Sequence, residues 1–260
     1  MRSPTARTVL AGLLLAALLT LPPAWADGAL LWQTNSFSLL HGGDYAVDPA
    51  RQQTLTFEHA SGWNVGDLFL FVDLTRFDGE KNAAGDENTY YGEISPRLSL
   101  GKLFGREIAA GPVTDVLLAA TYEFGDGEVE TLLLGPGFDL ALPGFDYFQL
   151  NVYRRIPQDG RDGRTIQITP VWAMTLPLGR SDILFDGFMD WNVTSDGGYE
   201  RNLHFNPQLK YDLGKAMAWG DRRLYAGIEY SYWKNKYGIR SSKTFDSDQS
   251  AASLLLKLLF

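Results

Sequence analysis

The chain has 260 residues, no cysteine, 27 glycines, 13% aromatic residues and a formal net charge of −8. The acidic balance makes it a poor candidate for binding nucleic-acid phosphates, and the lack of cysteine excludes disulfides and a thiol-linked lipid anchor. Abundant aromatic residues and glycines are typical of strands and turns, so we expect an all-β fold.

An export signal is predicted at the N-terminus. Two arginines precede an apolar run over residues 9–21, and the small-residue triplet Ala24-Trp25-Ala26 follows. The run is shorter than the roughly 18 to 20 residues that a membrane-spanning helix needs, and no longer apolar run follows it. We therefore predict a signal peptide over 1–26, a single β-barrel domain over 27–260, and no helical membrane protein.

A two-residue alternation of apolar and polar side chains recurs along the chain, interrupted by connections rich in Gly, Asp and Asn. Such alternation is typical of strands with two unlike faces. It predicts twelve strand cores, over residues 31–40, 54–60, 67–76, 89–100, 115–124, 130–141, 147–155, 165–176, 183–194, 203–212, 224–233 and 250–260.

An even number of strands closes a barrel with both termini at one rim. The connections expected at that rim are mostly compact, as at 142–144 and 177–180, although 102–114 is long. The opposite connections are more polar and often longer, over 77–88, 157–164, 195–202 and 234–249. Short turns at one rim and long loops at the other are typical of outer-membrane barrels.

The position of the apolar face distinguishes a membrane barrel from a soluble sandwich. Residues 89–100 and 203–212 each carry one apolar and one polar face, and the last strand has an apolar stripe that ends on Phe260. We place an aromatic girdle near strand ends, at Trp32, Trp172, Trp191, Tyr211 and Tyr232. The prediction is a closed antiparallel transmembrane β-barrel; a periplasmic sandwich or lipocalin-like barrel is the alternative.

Several sequence blocks resemble a known family. They are the run Glu-Ile-Ser-Pro-Arg-Leu-Ser-Leu-Gly-Lys-Leu over 93–103, and the shorter blocks at 111–112, 135–139, 142–143, 151–153, 176–178 and 187–191. Their order and spacing are similar to those of the Tsx-like nucleoside-specific channel-forming proteins. The first strands and outer loops match only loosely.

The resemblance implies a monomeric twelve-stranded barrel in the outer membrane of a Gram-negative cell. Its narrow lumen, lined by aromatic and ionisable side chains, would pass nucleosides and deoxynucleosides. It also implies a possible second use as a receptor for phage or colicin. The expected partners are therefore nucleosides, outer-membrane lipid and lipopolysaccharide, and the barrel-assembly machinery through Phe260; nucleic acid is not expected.

The alternation assigns a set of side chains to the lumen. These candidates for solute contact are Glu58, Phe69, Phe71, Asp73, Tyr91, Glu93, Arg97, Tyr153, Arg155, Asp186, Phe188, Asp190, Lys210, Glu229 and Trp233. Rings offer surfaces for stacking a base, and polar groups suit the sugar hydroxyls. For the charged members, structural ion pairing across the lumen is the alternative, and for the aromatic members it is packing near a rim.

Catalytic interpretations find less support. His41, His59 and His204 fall on separate predicted strands without metal-ligand spacing. His59-Ala60-Ser61 is the best enzymatic alternative, a lipid hydrolase, but the pair faces lipid and no acidic group to orient the histidine is evident. We expect no catalytic residue, metal or cofactor. The expected function is facilitated diffusion of nucleosides, with a channel for another small amphiphile or a surface receptor as alternatives.

Overall fold

The computed structural model describes residues 29–127, 129–158 and 160–260, which form a closed antiparallel β-barrel. Each strand pairs with its neighbours in sequence, and β12 closes the barrel on β1. The predicted signal peptide, 1–26, lies outside the described residues. The strands are β1 Leu30–Gly43, β2 Gln52–Trp63, β3 Gly66–Phe77, β4 Asn88–Ser99, β5 Val113–Gly125, β6 Val129–Leu140, β7 Tyr147–Pro157, β8 Ile166–Leu178, β9 Ser181–Asn192, β10 Asn202–Asp212, β11 Leu224–Lys234 and β12 Gln249–Leu259.

The predicted twelve-stranded barrel is confirmed, and each predicted core overlaps one strand. The expected extension of the fourth strand to residue 100 is wrong, because Leu100–Phe104 forms a short helix, α1, whose first turn is capped by the Ser99 hydroxyl. A second short helix, α2, covers Leu213–Ala216 after an Asp212 cap. None of the helices in the described ranges has the length and apolar character needed to cross a membrane.

The outer face of the barrel is apolar. On β12 Leu254 and Leu258 are 68% and 51% exposed, whereas Ser253 and Leu255 on the other face of the strand are each 3% exposed. A soluble sandwich or lipocalin-like barrel turns its apolar face inward. Here the exposed leucines point outward, so the outer surface suits hydrocarbon and the soluble alternative is wrong.

The two rims differ as expected. The rim that holds both ends of the barrel, here called the terminal rim, includes the tight connections at 64–65 and 179–180 and the longer one at 100–112 that carries α1. The opposite rim, here called the loop rim, carries the longer loops 44–51, 193–201 and 235–248. Short turns mark the periplasmic side of outer-membrane barrels, and the terminal rim is the one that carries such turns.

The close approach of β9 and β10 explains why the 187–191 sequence block begins with a glycine. A Cβ added to Gly187 on β9 would lie 2.3 Å from the backbone oxygen of Asn206 on β10. Trp172 lies opposite Gly187 and stacks on Phe205 at 5.7 Å between ring centroids. Trp172 is therefore buried at the middle of β8, and its predicted place in the girdle is wrong; Trp191 does lie near a strand end.

Candidate functional site in the barrel lumen

The predicted lumen side chains all lie on the inner face, opposite the exposed leucines. The cross-strand register gives this placement, since inward residues pair with inward residues on every neighbouring strand. They do not form one compact site. All but Tyr153, Asp73 and Glu229 divide into three charged clusters and two rows of aromatic rings along the lumen.

The first cluster centres on Arg155 and lies toward the loop rim. The guanidinium donates two hydrogen bonds of 2.6 Å to the Glu123 carboxylate and one of 2.7 Å to the Gln167 amide oxygen. Gln167 in turn donates to Asp190 at 2.8 Å, and Glu93 lies directly opposite Glu123 in the strand register. Arg155 on β7 therefore offsets the charge of carboxylates on β4, β5 and β9.

The second cluster lies toward the terminal rim and contains two lysines. The Lys210 ammonium donates to the Asp186 carboxylate at 2.7 Å and to the Gln208 amide oxygen at 2.6 Å. Lys257 forms an ion pair with Glu58 across the intervening strand β1. The first pair joins β10 to β9 and the second joins β12 to β2, and all four groups face the lumen.

A third cluster is formed by Arg97, which is 4% exposed. Its guanidinium donates twice to the Asp67 carboxylate, at 2.8 and 2.6 Å, and once to Asp139 at 2.9 Å. The bidentate geometry fixes the guanidinium against the wall between β3 and β6. Of the predicted charged candidates, Arg97, Arg155 and Lys210 are thus held by carboxylates.

One row of aromatic rings runs along β3 and β4. The Phe69 and Phe71 ring centroids are 6.0 Å apart, and Phe71 is 5.8 Å from Tyr91. The Phe69 side chain is 39% exposed although it faces the lumen. The Tyr91 hydroxyl donates to Glu93 at 2.7 Å, so the row has both a flat apolar surface and an acidic edge.

A second row lies on the opposite wall, and sequence reasoning identified only part of it. His204 stacks on Trp233 at 3.9 Å and meets Phe188 edge-on at 5.1 Å, while Tyr237 packs against Trp233 at 5.6 Å. The alternation already placed His204 inward, but its ring was not counted among the candidates. Tyr237 belongs to a loop, for which alternation gives no signal.

The loops at the loop rim contribute a buried lysine that sequence reasoning missed. The Lys236 ammonium donates to the Ala46 carbonyl and to the Gln249 amide oxygen, both at 2.8 Å, and lies 3.4 Å from Asp48. Burial lowers the pKa of Lys236 to about 8, and the Asp48 carboxylate opposes that shift. The Tyr45 hydroxyl reaches inward to Ser253 at 2.6 Å. These contacts join the 44–51 and 235–248 loops over the barrel mouth.

The lumen therefore offers ring faces for stacking and hydrogen-bonding groups beside them. The remaining candidates fit this arrangement: the Tyr153 hydroxyl lies 3.5 Å from Thr121, Asp73 accepts from Thr56 at 2.5 Å, and Glu229 accepts from Gln208 at 2.7 Å. Within the described ranges, no group of three or more His, Asp or Glu side chains is arranged to hold a metal ion.

Comparison with known proteins gives a family match over most of the barrel. A family model described as nucleoside-specific channel-forming protein, Tsx, matches residues 32–258. Outer membrane protein OmpK of Vibrio parahaemolyticus is 24% identical over 205 residues, which is 77% of this chain and 76% of that protein. A second OmpK, from the O3:K6 serotype of that species, is 22% identical over 222 residues, 81% of each chain.

Among solved structures, a KdgM porin aligns with 86% of this chain and 99% of its own, at 11% identity and a TM-score of 0.49. The sequence matches place the protein in the outer membrane.

Proposed function

The chain belongs to the Tsx family of nucleoside-specific channel-forming proteins, and we propose that its barrel carries nucleosides and deoxynucleosides across the outer membrane by facilitated diffusion. Transport in this proposal follows the solute gradient. The barrel supplies a wet path through hydrocarbon, and the lumen side chains select the solute by weak and reversible contacts.

The observation that carries the proposal is the pair of aromatic rows in the lumen. An aromatic ring that faces a polar channel exposes apolar surface to water, which is unfavourable. Such rings therefore indicate contact with a ligand or with other side chains. Phe69, Phe71 and Tyr91 offer ring faces on one wall, and Trp233 belongs to the row on the other. A nucleoside has one flat base, which stacks on such rings with about 1 to 3 kcal/mol per base.

The paired charges have a different role in this proposal. Arg97, Arg155 and Lys210 each donate to carboxylates at 2.6 to 2.9 Å. Displacing them toward a solute would leave those carboxylates uncompensated, which is costly in a confined lumen. We therefore assign the charged clusters to holding the wall, and the aromatic rows with their neighbouring hydroxyls to solute contact.

Planar-bilayer conductance tests the proposal. Adenosine or thymidine is expected to reduce the ion current at roughly millimolar concentration or below, while a sugar of similar size leaves it unchanged, because only the base stacks. Absence of block by any nucleoside would remove the substrate assignment. Block by an unrelated aromatic solute alone would instead make the barrel a channel for that amphiphile.

Single substitutions separate stacking from packing. Phe71→Ala is expected to weaken nucleoside block about fivefold or more, which corresponds to the lower end of the stacking range. Phe57→Ala is the matched control, since Phe57 contacts Phe37 on the outer face. Equal block in both variants would show that the Phe71 ring packs the wall without contacting solute.

A further inference from the structure

The outer face of the barrel carries a hydrogen-bonded row of Asn35, His59 and Ser61 near the terminal rim. His59 Nδ1 lies 2.9 Å from the Asn35 side-chain oxygen, and His59 Nε2 lies 3.0 Å from the Ser61 hydroxyl oxygen. An amide oxygen only accepts hydrogen bonds, so Nδ1 carries the proton and Nε2 accepts from the serine hydroxyl. This is the hydrogen-bond direction of a serine nucleophile, its base and the group that orients the base.

The orienting group that the sequence did not reveal is Asn35. It lies on β1 directly opposite His59 on β2, so the strand register creates the contact. An amide orients the histidine without adding a charge, which suits a surface that faces hydrocarbon, where charged groups are costly. The sequence showed no acidic group to orient His59, and in the structure the neutral Asn35 amide lies at that position.

The surroundings of the row fit an acyl chain. The next outward residues toward the bilayer centre on the two strands are Phe37 and Phe57, whose rings are 5.4 Å apart. Phe260 stacks on Phe37 at 5.6 Å. The three polar side chains thus lie between an aromatic apolar surface and the terminal rim, and the ester groups of a lipid likewise lie between its acyl chains and its headgroup.

We propose that Ser61, His59 and Asn35 form an esterase site that hydrolyses an acyl ester of a glycerophospholipid in the adjoining leaflet. The Ser61 oxygen attacks the ester carbonyl carbon while its proton passes to His59 Nε2. The ester bond to glycerol breaks, and His59 returns that proton to the departing alcohol. A water molecule, deprotonated by His59, then cleaves the acyl-serine, which releases a fatty acid and restores the serine hydroxyl.

Access to Ser61 is controlled by Trp63. The Ser61 side chain is fully buried, and its oxygen accepts a 3.0 Å hydrogen bond from the Trp63 indole N–H. Attack requires the lipid to displace this indole, so the site is closed until a lipid enters. Gln33, exposed and directly opposite Ser61, is the side chain we assign as hydrogen-bond donor to the carbonyl oxygen during attack.

Fatty-acid release from dioleoyl phosphatidylethanolamine in mixed micelles, measured on barrel refolded from inclusion bodies, tests the proposal. Wild type is expected to release fatty acid, and Ser61→Ala to lower the rate by about a hundredfold or more. His41→Ala is the matched control, because His41 lies outward on β1 toward the loop rim, and is expected to keep the rate. No release by wild type, or equal release by Ser61→Ala, would overturn the proposal.

Asn35 is a positioning residue and needs a separate readout. Asn35→Asp is expected to retain turnover. It is also expected to move the acidic limb of the pH profile to higher pH, because a carboxylate stabilises the protonated imidazole. Asn35→Leu is expected to lower kcat with little change in KM.

Fluorophosphonate labelling of folded wild type gives an independent check that needs no variant. The label is expected on Ser61, and an unlabelled Ser61 would refute the site. Unchanged conductance of the variants would confirm that the barrel is intact, so failure here leaves the transport proposal standing.

Discussion

Replacing Arg155 by Met tests whether the first charged cluster holds the barrel wall. The substitution removes three hydrogen bonds of 2.6 to 2.7 Å to Glu123 and Gln167 while keeping much of the side-chain volume. Glu123 and Glu93 lie directly opposite each other on β5 and β4. The substitution leaves both carboxylates without the neighbouring guanidinium. Like charges in opposed strand positions repel, and an uncompensated buried carboxylate is strongly unfavourable.

The size of the effect follows from burial. The side chains of Arg155 and Glu123 are 12% and 8% exposed. Breaking a buried ion pair by removing one partner costs about 3 to 5 kcal/mol, and access of lumen water favours the lower end. We therefore expect the free energy of unfolding to fall by about 3 kcal/mol.

Urea unfolding of the barrel in phospholipid vesicles, followed by tryptophan fluorescence, measures this loss. The matched control is Arg155→Met combined with Glu123→Gln, which removes the uncompensated charge and is expected to recover at least about 1 kcal/mol. A loss below about 1 kcal/mol for the single variant, or no recovery in the double variant, would refute the role assigned to this cluster.

Two further predictions concern the strand packing and the loop rim. Gly187→Val is expected to prevent closure between β9 and β10, because an added Cβ lies 2.3 Å from the Asn206 backbone oxygen; loss of the compact, heat-modifiable form on a gel is the measurement, and normal migration would contradict it. Burial lowers the pKa of Lys236 to about 8, below the pKa of a solvated lysine, so the opened loop binds more protons than the closed loop. Closure of the loop is therefore stabilised as the pH rises through about 8. Hydrogen exchange of residues 235–248, normalised to the Lys236→Met variant, is expected to slow from about pH 7 to about pH 9. No difference between wild type and variant would contradict the buried-lysine account.

Alternation was sufficient to predict the barrel and its faces. The two-residue period of β4, β10 and β12 reports directly which side of a strand meets hydrocarbon, since a shift by one residue would reverse every side chain. The same period placed Phe71 and Arg155 inward. Helix α1 was not predicted, because Leu100 continues the alternation of apolar residues along β4. In the structure the helix begins at Leu100, and the Ser99 side chain caps its first turn.

Contacts that depend on register or on loops could not be predicted in this way. Asn35 meets His59 only because β1 and β2 pair in one particular register. Lys236 and Tyr45 come together through loops distant in sequence, and no period describes such segments. Local pattern therefore identified the face on which a side chain lies, while its partners required the closed barrel.

Uptake of radiolabelled thymidine by proteoliposomes tests the central claim most directly. Vesicles that contain the barrel are expected to equilibrate thymidine faster than protein-free vesicles, and excess unlabelled adenosine should slow this uptake through competition for the aromatic rows. Thymidine entry no faster than in protein-free vesicles, with the barrel folded and conducting ions, would contradict the proposed nucleoside channel.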